Sequence, residues 1–176
     1  MRLFIAEKPS VAKAIAAELG NVTRAEGYLQ CGADRVTWCF GHILEMAKPE
    51  HYGEQYAKWR AEDLPIIPQV WALLPKEDAK AQLAVIGRLL KDTTEVVNAG
   101  DPDREGQLLV DEVLEHFKNR RDVKRFWVSA QDSVSIQRGL AALKSNKDYQ
   151  GLKDAALARQ RADWLIGMNL SRAYSL

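Results

Sequence analysis

Four carboxylates and one amine stand at two points of the chain where an apolar run gives way to helical patterning. The segment from Arg2 to Ala6 runs into Glu7-Lys8-Pro9-Ser10, and the segment from Glu95 to Gly100 runs into Asp101-Pro102-Asp103-Arg104-Glu105. In an open α/β sheet, ligands bind outside the carboxyl ends of the strands, so two such strand exits can share one cleft. Carboxylates gathered that closely repel one another and are tolerated at neutral pH mainly when a divalent cation neutralises them. Oxygen donors with no histidine or thiolate beside them favour a hard ion, Mg²⁺ or else Mn²⁺.

Plainer readings compete for the same residues. Asp101 or Asp103 can be the N-cap of a following helix, with Glu105 well placed in its first turn. Asp101, Asp103, Glu105, Gly106 and Glu112 also approach the spacing of a calcium loop between two helices. The entering segment is β-branched, however, and Leu108, Leu109, Val113, Leu114 and Phe117 continue as a helix through the region where such a loop offers polar groups. Lys8 and Glu7 can be an ordinary surface pair, although Pro9 restricts the backbone beside them and starts a helix at once. His42, after Gly41, has the ordinary reading of a hydrogen-bonded structural histidine. Arg159 and Asp163 have the spacing of an exposed pair one helical turn apart.

The elements that must position these groups follow from periodicity. Val11, Ile15 and Leu19 recur after Pro9-Ser10, and Gly20 stands where that helix should stop. Tyr28 to Cys31 and Arg35 to Phe40 read as a hairpin around Gly32-Ala33-Asp34, with Val36, Trp38 and Phe40 on one face. Between Lys48 and Lys76, Pro49, Pro65, Pro68 and Pro75 punctuate an irregular excursion that also holds Trp59 and Trp71, so aromatic packing should pin it. A helix over 79–91 turns Leu83, Ile86 or Gly87, and Leu90 inward. A strand over 95–98, a helix over 104–117, a strand over 124–128 and a helix over 133–143 follow. This alternation implies a parallel sheet between helices. Residues 145–148 are the best internal boundary, and a long helix over 152–173 closes the chain.

With 176 residues and 47% hydrophobic content, the chain can bury one good core. No apolar run is long enough to span a bilayer, and the first residues are too short and too acidic for a signal peptide, so the expected location is cytoplasmic. Cys31 and Cys39 have no zinc-site spacing and read as buried thiols. The net charge of +1 conceals a division: residues 1–117 carry 13 Lys/Arg against 19 Asp/Glu, and residues 118–176 carry 12 against 5. An acidic metal-binding half beside a basic half suits a nucleic-acid partner, and a solvated charged surface is the competing reading.

Ala6-Glu7-Lys8-Pro9-Ser10, then Gly41-His42, then Asp101 through Leu109 occur in an order and at distances that resemble the Toprim domain of type IA DNA topoisomerases. The last motif is most similar to the bacterial topoisomerase III branch. The resemblance implies a Rossmann-like Toprim fold over residues 1–148, a parallel sheet flanked by helices with a short antiparallel hairpin. Residues 149–176 would then begin a following helical domain. It implies Mg²⁺ held by Asp101, Asp103 and Glu105 beside Glu7, with Glu7 as general acid/base at a 3′ oxygen and Lys8 stabilising charge on the phosphoryl group. Lys8, Arg104 and Arg159 would contact single-stranded DNA, with His42 and Asp163 in support, while Gln160 stands where some relatives have a second basic residue. The implied reaction is a transesterification in which a tyrosine attacks a phosphodiester and holds the 5′ phosphate. None of Tyr28, Tyr52, Tyr56, Tyr149 or Tyr174 lies in the Ser-Tyr-Pro-Arg-Thr-like context of that nucleophile. The chain therefore reads as a portion that works with the remaining domains of the same topoisomerase and lacks strand passage by itself. Two alternatives stay open: another Toprim enzyme, primase-like or nuclease, and a non-catalytic, metal-dependent nucleic-acid-binding module.

Overall fold

A computed structural model describes all 176 residues. Its centre is β1 (Arg2–Ala6), which pairs in parallel with two strands from distant parts of the chain. Those neighbours are β4 (Asp34–Trp38) and β7 (Glu95–Ala99). Both β1 and β7 are buried along almost their whole length, as expected for strands covered by helices on both faces. Alternation then divides β1 between two cores. Leu3 and Ile5 meet α3 (Lys80–Lys91) and α4 (Arg104–His116), whereas Phe4 and Ala6 meet α1 (Pro9–Leu19) and α5 (Ser133–Ala141). Each large side chain so buried contributes about 1.5–3 kcal/mol, which makes the ends of β1 and β7 rigid points of the molecule.

The full sheet has seven strands in the order β2-β3-β4-β1-β7-β8-β9. Its parallel centre is flanked by antiparallel edges. β2 (Val22–Ala25) and β3 (Tyr28–Cys31) form one edge, and β8 (Val123–Arg125), parallel to β7, carries the two-residue β9 (Lys144–Ser145) at the other. The sequence reading missed β2 because all four of its residues are exposed, and an edge strand with no buried face shows no alternation. The hairpin strand ends at Trp38, and Phe40 lies beyond it, 60% exposed. β8 likewise stops at Arg125, short of Val128. Cys31 and Cys39 are buried free thiols.

The irregular excursion is bounded by β5 (Leu44–Met46) and β6 (Leu73–Pro75), an antiparallel pair, and begins with the single turn α2 (Pro49–Tyr52). It is held by α6 (Gln150–Ser175). Trp164 of α6 donates its indole N–H to the Ala47 carbonyl at 3.0 Å and meets Trp71 and Tyr52 edge-on. The Asn169 amide accepts from the Ile66 N–H at 2.6 Å and donates to the Ile66 carbonyl at 3.0 Å, as a neighbouring strand would. Arg172 donates to the Tyr56 carbonyl and covers Trp59. At residues 145–148, the expected internal boundary, Ser145 pairs with β8 and Asn146 enters a buried polar network described below, and beyond them α6 packs on α4.

Arg2 clamps the start of the sheet. Its Nε and backbone N–H both donate to the Asp34 carboxylate at 3.0 Å. Burial would raise the Asp34 carboxyl, but the Arg2 hydrogen bonds and charge outweigh it and hold the group below the usual carboxylate range. A depressed folded-state pKa contributes stability above the unfolded value, and that contribution is lost as pH falls through the folded one. Asp34→Asn should therefore cost about 1 kcal/mol at neutral pH after allowance for solvent screening. The difference in denaturation midpoint should shrink below pH about 4, and a difference independent of pH would refute the clamp.

Candidate metal and nucleic-acid site

Because β1 and β7 are adjacent and in register from Arg2–Glu95 to Ala6–Ala99, Glu7 and Asp101 leave the sheet side by side. Glu7 Oε2 accepts the Asp101 backbone N–H at 3.1 Å, and Lys8 Nζ donates to Asp101 Oδ2 at 3.1 Å. Lys8 is extended and Pro9 is the first residue of α1, so the fixed proline dihedral points the chain into the helix while Glu7 and Lys8 remain at the strand end. Burial pushes the Glu7 carboxyl up; the Asp101 N–H opposes this, and the Asp101 and Asp103 charges add to it. The hydrogen bond to Asp101 raises the Lys8 ammonium.

The loop from Gly100 to Asp103 is wrapped tightly onto the start of α4. A Cβ on Gly100 would come within 2.1 Å of the Gly106 carbonyl, and one on Gly106 within 2.3 Å of the Asp101 carbonyl. Asp103 is the N-cap of α4, accepting the Gly106 N–H at 2.7 Å. The capping reading of this residue is thus correct as geometry, and its second carboxylate oxygen is left for other partners. Glu105, half exposed, faces His42, with Nε2 and Oε2 3.7 Å apart. The opposite imidazole nitrogen, Nδ1, lies 2.5 Å from Oε1 of Glu112, which is 2% exposed. That hydrogen bond raises the His42 pKa against the opposing effect of burial. Glu112 is an interior residue of α4 and the segment before Asp101 is a strand, which disposes of the calcium loop.

The predicted site residues fall into two groups around this loop. Glu7, Lys8, Asp101 and Asp103 lie at the joined strand ends. His42, Glu105, Arg159 and Asp163 line one open depression with Gln160, in a volume of about 320 Å³. Arg159 and Asp163 approach each other at 3.7 Å with both side chains largely exposed. Arg104 is exposed on the first turn of α4 and makes no ion pair. No three His, Cys, Asp or Glu side chains close on a common point: Asp101 is engaged by Lys8, Asp103 by its cap and Glu105 by His42. The donor chemistry still fits a hard cation, since Glu7, Asp101 and Asp103 at the joined strand ends, and Glu105 on the next turn, offer only carboxylate oxygen.

Sequence reading missed what holds the loop in place. Arg125, fully buried beneath it, donates through Nη1 to the carbonyls of Gly100 at 2.6 Å, Phe126 at 2.8 Å and Asn98 at 3.2 Å, and through Nη2 to that of Asp101 at 2.8 Å. Its Nε donates to Gln107 Oε1 at 2.6 Å, and Gln107 Nε2 donates in turn to Asp111 and Asn146. Asn98 joins by accepting the Gly100 N–H and donating to Asp111. Burial lowers the Arg125 pKa to about 10, so it is charged at neutral pH, with Asp111 balancing it through one amide. The available signal was polarity in the wrong place: Asn98 inside a buried strand, and Gln107 and Asp111 one turn apart on the buried face of α4.

The family model for the Toprim domain matches residues 2–131, which include both strand ends. The chain belongs to the Toprim family. The chain is 50% identical over 181 residues to "DNA topoisomerase 3" of Vibrio cholerae, an alignment covering 99% of this chain and 28% of that protein. It is 47% identical to the protein of the same name from Salmonella typhimurium, with 100% and 28% covered, and 40% identical to that of Bacillus subtilis, with 97% and 24% covered. The chain thus spans about a quarter of the length of these relatives, and its sequence is topoisomerase III-like. A solved topoisomerase I from Thermotoga maritima has the same fold, with a TM-score of 0.62 over 93% of this chain and 24% of that one, at 18% identity.

Proposed function

We propose that this chain is the Toprim portion of a type IA, topoisomerase III-like enzyme, holding a divalent cation and the phosphates of single-stranded DNA while a strand is transiently cut and rejoined. The observation that supports this best is the joining of the two strand ends, where Lys8 and Glu7 both engage Asp101. Asp101, Asp103 and Glu105, with Glu7 beside them, would hold Mg²⁺ or Mn²⁺, which when bound supplies positive charge for positioning a phosphate. Glu7, whose carboxyl is held above its ordinary pKa, exchanges a proton with the 3′ oxygen. Lys8 stabilises charge on the phosphoryl group. Arg159 and Arg104 bind the DNA backbone on the side of the loop where His42 and Asp163 support them. The nucleophilic tyrosine and the enclosing gate belong to the remaining domains of the enzyme, which works in the cytoplasm. No helix here is long and apolar enough to cross a membrane.

The second reading, a metal-dependent nucleic-acid-binding module without chemistry of its own, is favoured by one observation. None of the five tyrosines lines either cavity beside the loop, and Tyr174, on the same helix as Arg159, is 88% exposed at the end of α6. Both readings require the metal. Calorimetric titration with Mg²⁺ or Mn²⁺ should show weak binding, because Mg²⁺ keeps much of its water and relies on substrate phosphates. Asp103→Asn should weaken it at least about tenfold, since even residues outside the ligand shell are worth that much. Asparagine caps helices as well as aspartate does, so the variant should keep its fold. Unchanged metal binding in Asp103→Asn would remove the metal assignment.

A further inference from the structure

On the side of the loop away from Arg159, the surface is concave and changes character. A cavity of about 160 Å³ bounded by Lys8, Asp101 and Asp103 shares Pro102, Val128, Ser129 and Ala130 with an open trough of about 580 Å³. The trough runs over the end of β8 to α5 and β9. Its charged lining is Arg138 and Lys144, with no carboxylate, and Ser129 and Ser135 add hydroxyls. Trp127 forms one wall. It is 37% exposed, yet it is held rigidly: it stacks on Tyr149 with centroids 4.7 Å apart and planes at 21°, and the Arg125 guanidinium lies 4.8 Å from its ring. The α5 wall is fixed as well, because that helix is pressed so closely on the segment after β8 that a Cβ on Gly139 would come within 2.2 Å of Val128.

We propose that this trough is a second contact for single-stranded nucleic acid, with Trp127 presenting an aromatic face to a base and Arg138 and Lys144 neutralising phosphates. The inference rests on the nucleic-acid reading above and extends it to a surface of which Pro102 alone belongs to the motifs that carry that reading. A cationic groove beside a pre-ordered aromatic is the arrangement that binds single strands without sequence preference, since every base has a π-face and every nucleotide a phosphate. Tyr149 and Arg125 immobilise Trp127 in advance, so little side-chain freedom is lost on binding. The absence of carboxylates from the trough contrasts with the acidic loop next to it. A strand would therefore be drawn along the basic side and meet negative charge only at the metal-binding residues.

The test is fluorescence anisotropy of a labelled oligothymidylate of about twelve nucleotides with the 176-residue chain, measured against salt concentration. Arg138→Glu and Lys144→Glu should each weaken binding several-fold. Neutral replacement of either should reduce the slope of log affinity against log salt by about 0.7, the value for one lost phosphate contact on a single strand. Trp127→Ala should weaken binding roughly fivefold or more, and Trp127→Phe should retain most of it. Lys91→Glu, at the end of α3 on the opposite face of the sheet, should have a much smaller effect. The surface charge reversals leave the core intact, so they decide the matter even if Trp127→Ala disturbs folding. Wild-type binding that is unaffected by both reversals, or weakened equally by Lys91→Glu, would overturn the trough while leaving the Arg159 side standing. No binding by the wild-type chain would overturn the nucleic-acid reading itself and this inference with it.

Discussion

Glu7→Gln should lower DNA relaxation by about 10²–10⁴-fold when this chain is joined to the remaining segment of a related enzyme, such as the Vibrio cholerae relative. Glutamine retains a side-chain oxygen able to accept the Asp101 N–H, so the contact between the two strand ends survives and only proton exchange is removed. Burial and the neighbouring aspartates hold the Glu7 carboxyl above its ordinary pKa, which brings it closer to neutrality, where a group that must both give and take a proton works best. The discriminating measurements are relaxation of supercoiled plasmid and metal affinity in the same variant. Relaxation should fall by a far larger factor than metal affinity, because Asp101 and Asp103 remain to hold the cation. Activity within about twofold of wild type would exclude Glu7 as the acid/base. The 176-residue chain alone should not relax plasmid, because a positioned phosphate still needs a nucleophile in line with its leaving oxygen. A covalent DNA adduct from the chain alone would point first to Tyr174.

Arg125→Met should be the most destabilising single substitution around the site, by about 3–5 kcal/mol, the usual cost of leaving one member of a buried charged network without its partner. Four backbone carbonyls and Gln107 Oε1 lose the guanidinium at once, with only those of Asn98 and Asp101 keeping a second donor, and Asp111 loses the cation that balances it through Gln107. For a chain of this length the midpoint of thermal unfolding should fall by roughly 10 °C. Arg125→Lys should recover only part of the loss, since an ammonium cannot spread its donors over five acceptors as the planar guanidinium does. Two of those acceptors are the carbonyls of Gly100 and Asp101, so metal affinity should fall even at temperatures where the lysine variant is fully folded. Stability within about 1 kcal/mol of wild type in Arg125→Met would show that the loop is held by its glycine contacts alone.

Much of this protein was written in local patterns. Buried strands such as Leu3-Phe4-Ile5-Ala6, and helices with an apolar face such as α3 and α4, announce themselves because burial on a regular element imposes a period. The Glu7-Lys8-Pro9-Ser10 and Asp101 to Leu109 motifs are short and contiguous, so their family and their place at strand ends could be read without coordinates. Elements stabilised by distant partners left no such trace. β2 is exposed on every residue, and β9 is two residues long, so neither carries a periodic signal.

Tertiary structure alone decided which charges meet. The parallel pairing of β1 with β7 brings Glu7 to the Asp101 N–H across 94 positions of sequence, and α6 brings Arg159 and Asp163 to the depression that holds His42 and Glu105. It also showed that Asp103 caps α4 as well as standing in the candidate metal cluster, and that the carboxylates have separate partners instead of closing on one point. Arg125 is the clearest case. Nothing local distinguishes it from the other arginines of the basic half, yet it lies beneath the loop with all three of its nitrogens donating to the protein. Hydrogen-bond satisfaction depends on three-dimensional neighbours, and sequence spacing carries information about those neighbours only when they sit on the same helix or strand.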